Sequence, residues 1–228
     1  DCLEINSTGT KNVLEACANS KVKKIIFASS SEVYGEPKKN PITEEFQTHG
    51  KTIYGISKLI GEEYCKSYYQ KYNLKYTILR YFNTYGVYQQ KKFVIQNFVH
   101  DAILNNKIII NGNGLQKRSY MHVSDAAEGT IGAAFSKKTN NKIFNIGNGG
   151  NPINLIRLSK IVKKIINKKN IKVIFKKNFN NTDRSKDREI FYRYCDSSKF
   201  QKLLKWKPKV SLEKGIKEIL KNFYEKKY

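Results

Sequence analysis

An apolar run closes on three consecutive hydroxyls in the segment KIIFASSSEVYG, Lys24 to Gly35. A little further on, a tyrosine and a lysine stand four apart in Tyr54-Gly55-Ile56-Ser57-Lys58. A buried strand that ends in Ser29, Ser30 and Ser31 places hydroxyls at the carboxyl edge of a parallel sheet, where open α/β folds bind their ligands. Four-residue spacing on a helix puts Tyr54 and Lys58 on one face. An ammonium held there favours the phenolate and draws a tyrosine down from its ordinary pKa of about 10. Tyr54 is thereby a candidate general base toward a hydroxyl. Alone the pair is a weak signal, because a half-buried tyrosine beside a solvated lysine arises on many helices. Its weight comes from the motifs around it.

The elements that must position these residues follow from apolar periodicity, which alternates between strand-like and helix-like segments along the whole chain. Residues 22–28 read as a buried strand, 52–72 as a long amphipathic helix and 75–81 as a second buried strand, the spacing of a parallel sheet with helical crossovers. A helix over 6–20 precedes them. After them come a helix over 94–105, strands at 108–110 and 120–123, a helix over 124–135, a strand over 142–146 and the loop Gly147-Asn148-Gly149-Gly150. The remainder reads as a helix over 154–167, a strand over 171–175, a polar loop over 178–187 and two closing helices near Ser197 and Ser211. The class is α/β.

Composition narrows the function classes. With 39% apolar and 12% aromatic residues and no apolar stretch near the ~20 residues of a membrane helix, neither disorder nor a membrane span fits. Cys2, Cys17, Cys65 and Cys195 form no C-x-x-C pair, and His49, His100 and His122 are scattered, so no metal site is expected and a reduced, cytoplasmic compartment fits. The formal charge of +24 invites a nucleic-acid reading. Of 43 basic residues, however, only Arg80, Arg118, Arg157, Arg184, Arg188 and Arg193 are arginine, the side chain that forks onto phosphates and bases. The densest basic run, residues 160–177, lies on a helix and the strand after it. A solvated face is the simpler account, and no nucleic-acid partner is expected. The chain opens on Asp1-Cys2-Leu3, with no initiator Met and no leader pattern, and reads as a piece whose beginning is missing.

The order of motifs carries a resemblance. NSTGTKNVLEA (6–16), the strand with SSSEVYG, YGISK (54–58), LRYFNTYG (79–86), GNGLQKRSYMHVSD (112–125) and Trp206-Lys207-Pro208 with LEKGI (212–216) resemble the extended short-chain dehydrogenase/reductases of the NAD-dependent epimerase/dehydratase family, which act on nucleotide sugars. It covers nearly the whole chain. It implies a Rossmann-like, doubly wound parallel sheet lacking its first strands and their G-x-x-G-x-x-G turn, with a smaller C-terminal α/β substrate lobe. Residues 1–91 would be the remaining NAD-binding part and 92–228 mainly the substrate lobe, with about 119–148 returning to the sheet. A homodimer and a nucleotide-diphosphate sugar as ligand are implied as well.

Carried over motif by motif, the resemblance makes Tyr54 the base, with Lys58 holding the nicotinamide ribose and tuning it, and Ser30 bonded to the reacting oxygen. Asn6, Ser29 and Tyr81 fall at NAD contacts together with Tyr54 and Lys58. Ser31, Asn83, Arg118 and Arg184 fall at sugar and diphosphate positions, where a planar guanidinium suits phosphate, although the loop around Arg184, DRSKD, departs from the usual proline-containing form. Every branch of such enzymes removes the 4-hydroxyl proton while C4 gives hydride to NAD. Epimerases return the hydride to the other face. 4,6-Dehydratases use an Asp-Glu pair after the Ser/Thr, and glucuronate decarboxylases a Ser-Glu pair. This chain carries Ser31-Glu32, and its QKRS (116–119) also matches the decarboxylase pattern, whereas YGVYQ (85–89) looks more like a dehydratase. An epimerase working through a transient 4-keto sugar is the expectation. The alternatives are a dehydratase or decarboxylase, in which Glu32 is catalytic, or an inactive remnant.

Overall fold

The computed structural model describes residues 1–176 and 190–225. At its centre is a parallel sheet in the order β1-β2-β7, built from β1 (Lys24–Ser30), β2 (Lys75–Tyr81) and β7 (Lys142–Ile146). Ser30 pairs with Tyr81, and Tyr81 with Ile146, so the three carboxyl ends lie level. Crossover connections oblige the helices to cover both faces. On one side α1 (Gly9–Asn19) and α2 (Ile53–Tyr72) enclose Leu14, Phe27, Cys65, Leu74, Tyr76 and Ile78. On the other, α4 (Val123–Phe135) and α6 (Ser198–Leu204) meet Leu79, Phe144, Ile146, Phe200 and Trp206. Ile78 and Leu79 face opposite ways because side chains alternate along a strand. This is the expected doubly wound α/β arrangement, in which Trp206 of the closing motif stacks edge-on against Phe200.

A second core gathers α3 (Val94–Asn105), α5 (Leu155–Ile166), α7 (Leu212–Glu225) and β4 (Lys107–Asn111), the last paired in parallel with β9 (Lys172–Lys176). Between the two cores run a two-stranded pairing of β3 (Thr84–Tyr85) with β6 (Met121–His122), and a small sheet of β10 (Tyr192–Arg193), β5 (Lys117–Arg118) and β8 (Ile153–Asn154).

Local chemistry explains most of the boundaries. Thr52 caps α2 by accepting from Gly55 N at 3.0 Å, and Asn154 caps α5 by accepting from Arg157 N at 2.8 Å. Asn73, Asn106 and Asn167 end their helices in the left-handed conformation, which asparagine tolerates better than most residues. The segment expected as a helix over 6–20 differs in its opening: Glu4–Thr8 is a π-helical turn that leads into α1. The expected strand at 22–28 sits two residues later, bringing Ser29 and Ser30 inside β1. Among the described residues no helix is long and apolar enough to cross a membrane.

Candidate active site

At the end of β1 the chain turns through a 3-10 segment, Ser31–Tyr34, and leaves it at Gly35 with φ +58°. A side chain at Gly35 would also collide with the carbonyl of His49, so this turn needs glycine. Ser30 Oγ accepts from the backbone N–H of Glu32 at 3.2 Å and faces the phenol of Tyr54. The Glu32 carboxylate accepts from the Thr52 hydroxyl at 2.9 Å, tying the turn to the cap of the helix that carries Tyr54. Its other oxygen lies 3.7 Å from a guanidinium nitrogen of Arg193 on β10. Tyr54, Ser30, Glu32 and Arg193 thus form one cluster at the carboxyl edge of the sheet.

Tyr54 remains 39% exposed at the mouth of this cluster. Burial pushes its pKa above the ordinary value, while the Ser30 hydroxyl and the charge of Arg193 pull it down. The Lys58 ammonium stands over the ring faces, 5.6 Å from the Tyr54 centroid and 5.4 Å from that of Phe27, and burial lowers its own pKa.

The remaining candidates divide by what their polar atoms are doing. Ser29 is 3% exposed and donates its hydroxyl to Glu62 at 2.5 Å, so only its backbone faces the sheet edge. Tyr81 shares a 2.5 Å hydrogen bond with Thr130, and burial pushes its pKa up. Asn6, in the π-helical turn, reaches Cys2 Sγ at 3.5 Å. Ser31 is buried at the start of the 3-10 turn. Asn83 has a buried Oδ1 with no hydrogen-bond donor among the described residues. Arg118 is 7% exposed, and its guanidinium donates to the carbonyls of Lys117 (2.8 Å), Phe191 (3.2 Å) and Ile190 (2.5 Å). It fastens β5 to the chain entering β10. Arg184 lies outside the described residues.

Two residues that hold Glu32 in the cluster escape a motif reading. Thr52 shows only as a helix cap. Arg193 sits on a two-residue strand with no periodicity to announce it, and only folding brings it to Glu32.

Residues 1–219 match the profile of the family described as GDP-mannose 4,6 dehydratase. The chain belongs to that family. Among similar proteins, the UDP-N-acetyl-alpha-D-glucosaminuronate decarboxylase of Bacillus cytotoxicus is 33% identical over 235 residues, covering 99% of this chain and 71% of that protein. The crystal structure of UDP-glucose 4-epimerase from Thermotoga maritima with UDP-glucose superposes with a TM-score of 0.89 at 31% identity, over 99% of this chain and 71% of that one. UDP-glucuronic acid 4-epimerase from Bacillus cereus, in complex with UDP-glucuronic acid and NAD, gives 0.85 at 30%, over 96% and 67%. The chain spans about two thirds of the length of the curated relatives it matches.

Proposed function

We propose that this chain carries the base and the sugar-binding residues of an NAD-dependent nucleotide-sugar 4-epimerase that works through a transient 4-keto sugar. The observation that carries the reading is the Ser30–Tyr54 pair at the carboxyl edge of the sheet. The two hydroxyls meet, which supports Ser30 as the bond to a reacting oxygen and Tyr54 as the group that takes its proton. The residues fit NAD on a second observation. The half-buried Lys58 ammonium stands over the Phe27 and Tyr54 rings, with Cys2 near enough to act on its charge, and its three donors suit ribose hydroxyls. NAD, when bound, would supply the acceptor, and then the donor, for the hydride of C4.

In this reading Tyr54 as phenolate takes the 4-hydroxyl proton, Ser30 holds the 4-oxygen, and Tyr54 gives the proton back when the ketone is reduced. Asn6, Ser29, Tyr81 and Lys58 make up the cofactor side. Asn83, with its unsatisfied Oδ1, and the buried Ser31 make up the sugar side. Arg118 and Arg184 meet the diphosphate, for which Arg118 exchanges backbone carbonyls for phosphate oxygens. Residues 1–91 with about 119–148 serve the cofactor half, and the rest of 92–228 the sugar half, in an enzyme that we expect to be homodimeric.

A second reading, decarboxylation of a nucleotide-linked uronic acid, is favoured by the Glu32–Arg193 pair. A cation beside Tyr54 suits a C6 carboxylate. Once C4 is a ketone, the C5–C6 bond can break to release carbon dioxide, its electrons passing to the 4-enolate, and an acid then protonates C5. Epimerisation asks nothing of Glu32. Mass spectrometry of the complete enzyme with NAD and a panel of UDP-, dTDP-, GDP- and CDP-sugars decides. Unchanged mass with inverted C4 supports the epimerase, and loss of carbon dioxide or of water moves the assignment. No turnover of any sugar with NAD bound sinks both readings.

A further inference from the structure

Glu62 lies on α2 four residues beyond Lys58, on the face that also carries Tyr54. It is 1% exposed and grips the Arg80 fork with both oxygens, at 2.9 Å to Nε and 2.6 Å to Nη2. Ser29, next to Ser30, donates to the same carboxylate at 2.5 Å. The third guanidinium nitrogen donates to Tyr34 Oη at 2.9 Å. Tyr34 in turn donates to Asn145 Oδ1 at 2.7 Å, and Asn145 Nδ2 donates to the Ile42 carbonyl at 2.9 Å. Tyr34 closes the 3-10 turn that carries Ser31 and Glu32. One buried fork therefore ties together β1 at Ser29, α2 at Glu62, β2 at Arg80, the turn at Tyr34 and β7 at Asn145.

We infer that the Glu62–Arg80 pair is a positioning device for the reaction, fixing the distance from Ser30 on the strand to Tyr54 on the helix. A buried ion pair is a poor stabiliser, because apolar side chains of the same volume do as well or better, and what a bidentate fork adds is a single allowed geometry. The sheet could be held to α2 by leucine and phenylalanine, as it is at Phe27 and Cys65. The polar network stands only where the strand end, the turn and the catalytic helix must keep register. A displacement of about 1 Å between reacting groups can cost about 10²-fold in rate.

The inference rests on Tyr54 being the base, and the test separates the two. In the complete enzyme, Glu62→Leu with Arg80→Met removes both charges together, which avoids stranding either one. The expected result is a melting temperature near that of the parent and KM for UDP-glucose or UDP-glucuronic acid within a few-fold. The turnover number falls by about tenfold or more. The Tyr54 signal in fluorine NMR of 3-fluorotyrosine-labelled protein, assigned by its loss in Tyr54→Phe, titrates at higher pH as the Ser30 contact weakens. Tyr34→Phe, which removes the links from Arg80 and Asn145 to the turn but keeps the Glu62–Arg80 pair, is expected to move turnover and titration the same way by a smaller amount, and it stands in if the double variant does not fold. A folded variant with parental turnover and an unmoved Tyr54 titration overturns the positioning role. Full activity of Tyr54→Phe overturns the base assignment instead.

Discussion

Tyr54 meets opposing influences: burial favours the phenol, and Ser30 and Arg193 favour the phenolate. A base must be deprotonated to act, so the acid limb of kcat/KM follows this pKa. Arg193→Gln removes a positive charge that lowers it, and the limb is expected to move to higher pH. A limb at unchanged pH would mean that Tyr54 does not set it. Glu32 separates the two reactions. Glu32→Gln keeps the shape and the Thr52 contact but removes the carboxylate, which an epimerase tolerates within a few-fold. A decarboxylase is expected to lose most activity, by the ~10²-fold or more of a lost acid or base. Steady-state rates on UDP-glucose and UDP-glucuronic acid read this directly. The serines, Tyr54 and Lys58 were legible in the sequence because they are local, within a strand end and one helix turn. Arg193 was not, since its meeting with Glu32 depends on how β10 is carried across the molecule. The guanidinium of Arg118, read as a phosphate ligand, proved to be engaged by carbonyls that no spacing reveals.

At the scale of elements, the seating of α2 on β1 decides where Tyr54 stands. Gly61 faces the Phe27 ring so closely that a Cβ would collide with the Cζ edge of the ring. Gly61→Ala is expected to destabilise by about 1–3 kcal/mol through overpacking, despite the better helix propensity of alanine, with the loss read by urea denaturation. Unchanged stability would mean that the helix has room to move. Thr52→Ala removes the cap and the Glu32 contact together, and about 0.5–2 kcal/mol is expected from the cap alone. The long elements β2, α3 and β7 stand where apolar periodicity puts them. The two-residue strands β3, β8 and β10 were not read, because a pairing that short leaves no period in the sequence and is set by its neighbours in space; β5 was read only through the motif that ends in Arg118.

For the whole molecule, the charge of +24 is carried almost wholly by lysine and does not imply a nucleic-acid partner. If the lysines are a solvated face, duplex DNA at ~150 mM salt binds no better than the ~10⁻⁴ to 10⁻⁶ M of non-specific association. A sequence-selective, salt-resistant gel shift would contradict that. If Tyr54 is the base of an NAD-dependent oxidation at C4 of a nucleotide sugar, removing its hydroxyl stops the chemistry and spares binding. In the complete enzyme, turnover of UDP-glucose and UDP-glucuronic acid is measured for the parent and for Tyr54→Phe, with NAD and sugar binding followed by calorimetry. The expected result is a fall in kcat of ~10²- to 10⁴-fold with both affinities nearly unchanged. A Tyr54→Phe enzyme that keeps parental kcat with both ligands bound would contradict it.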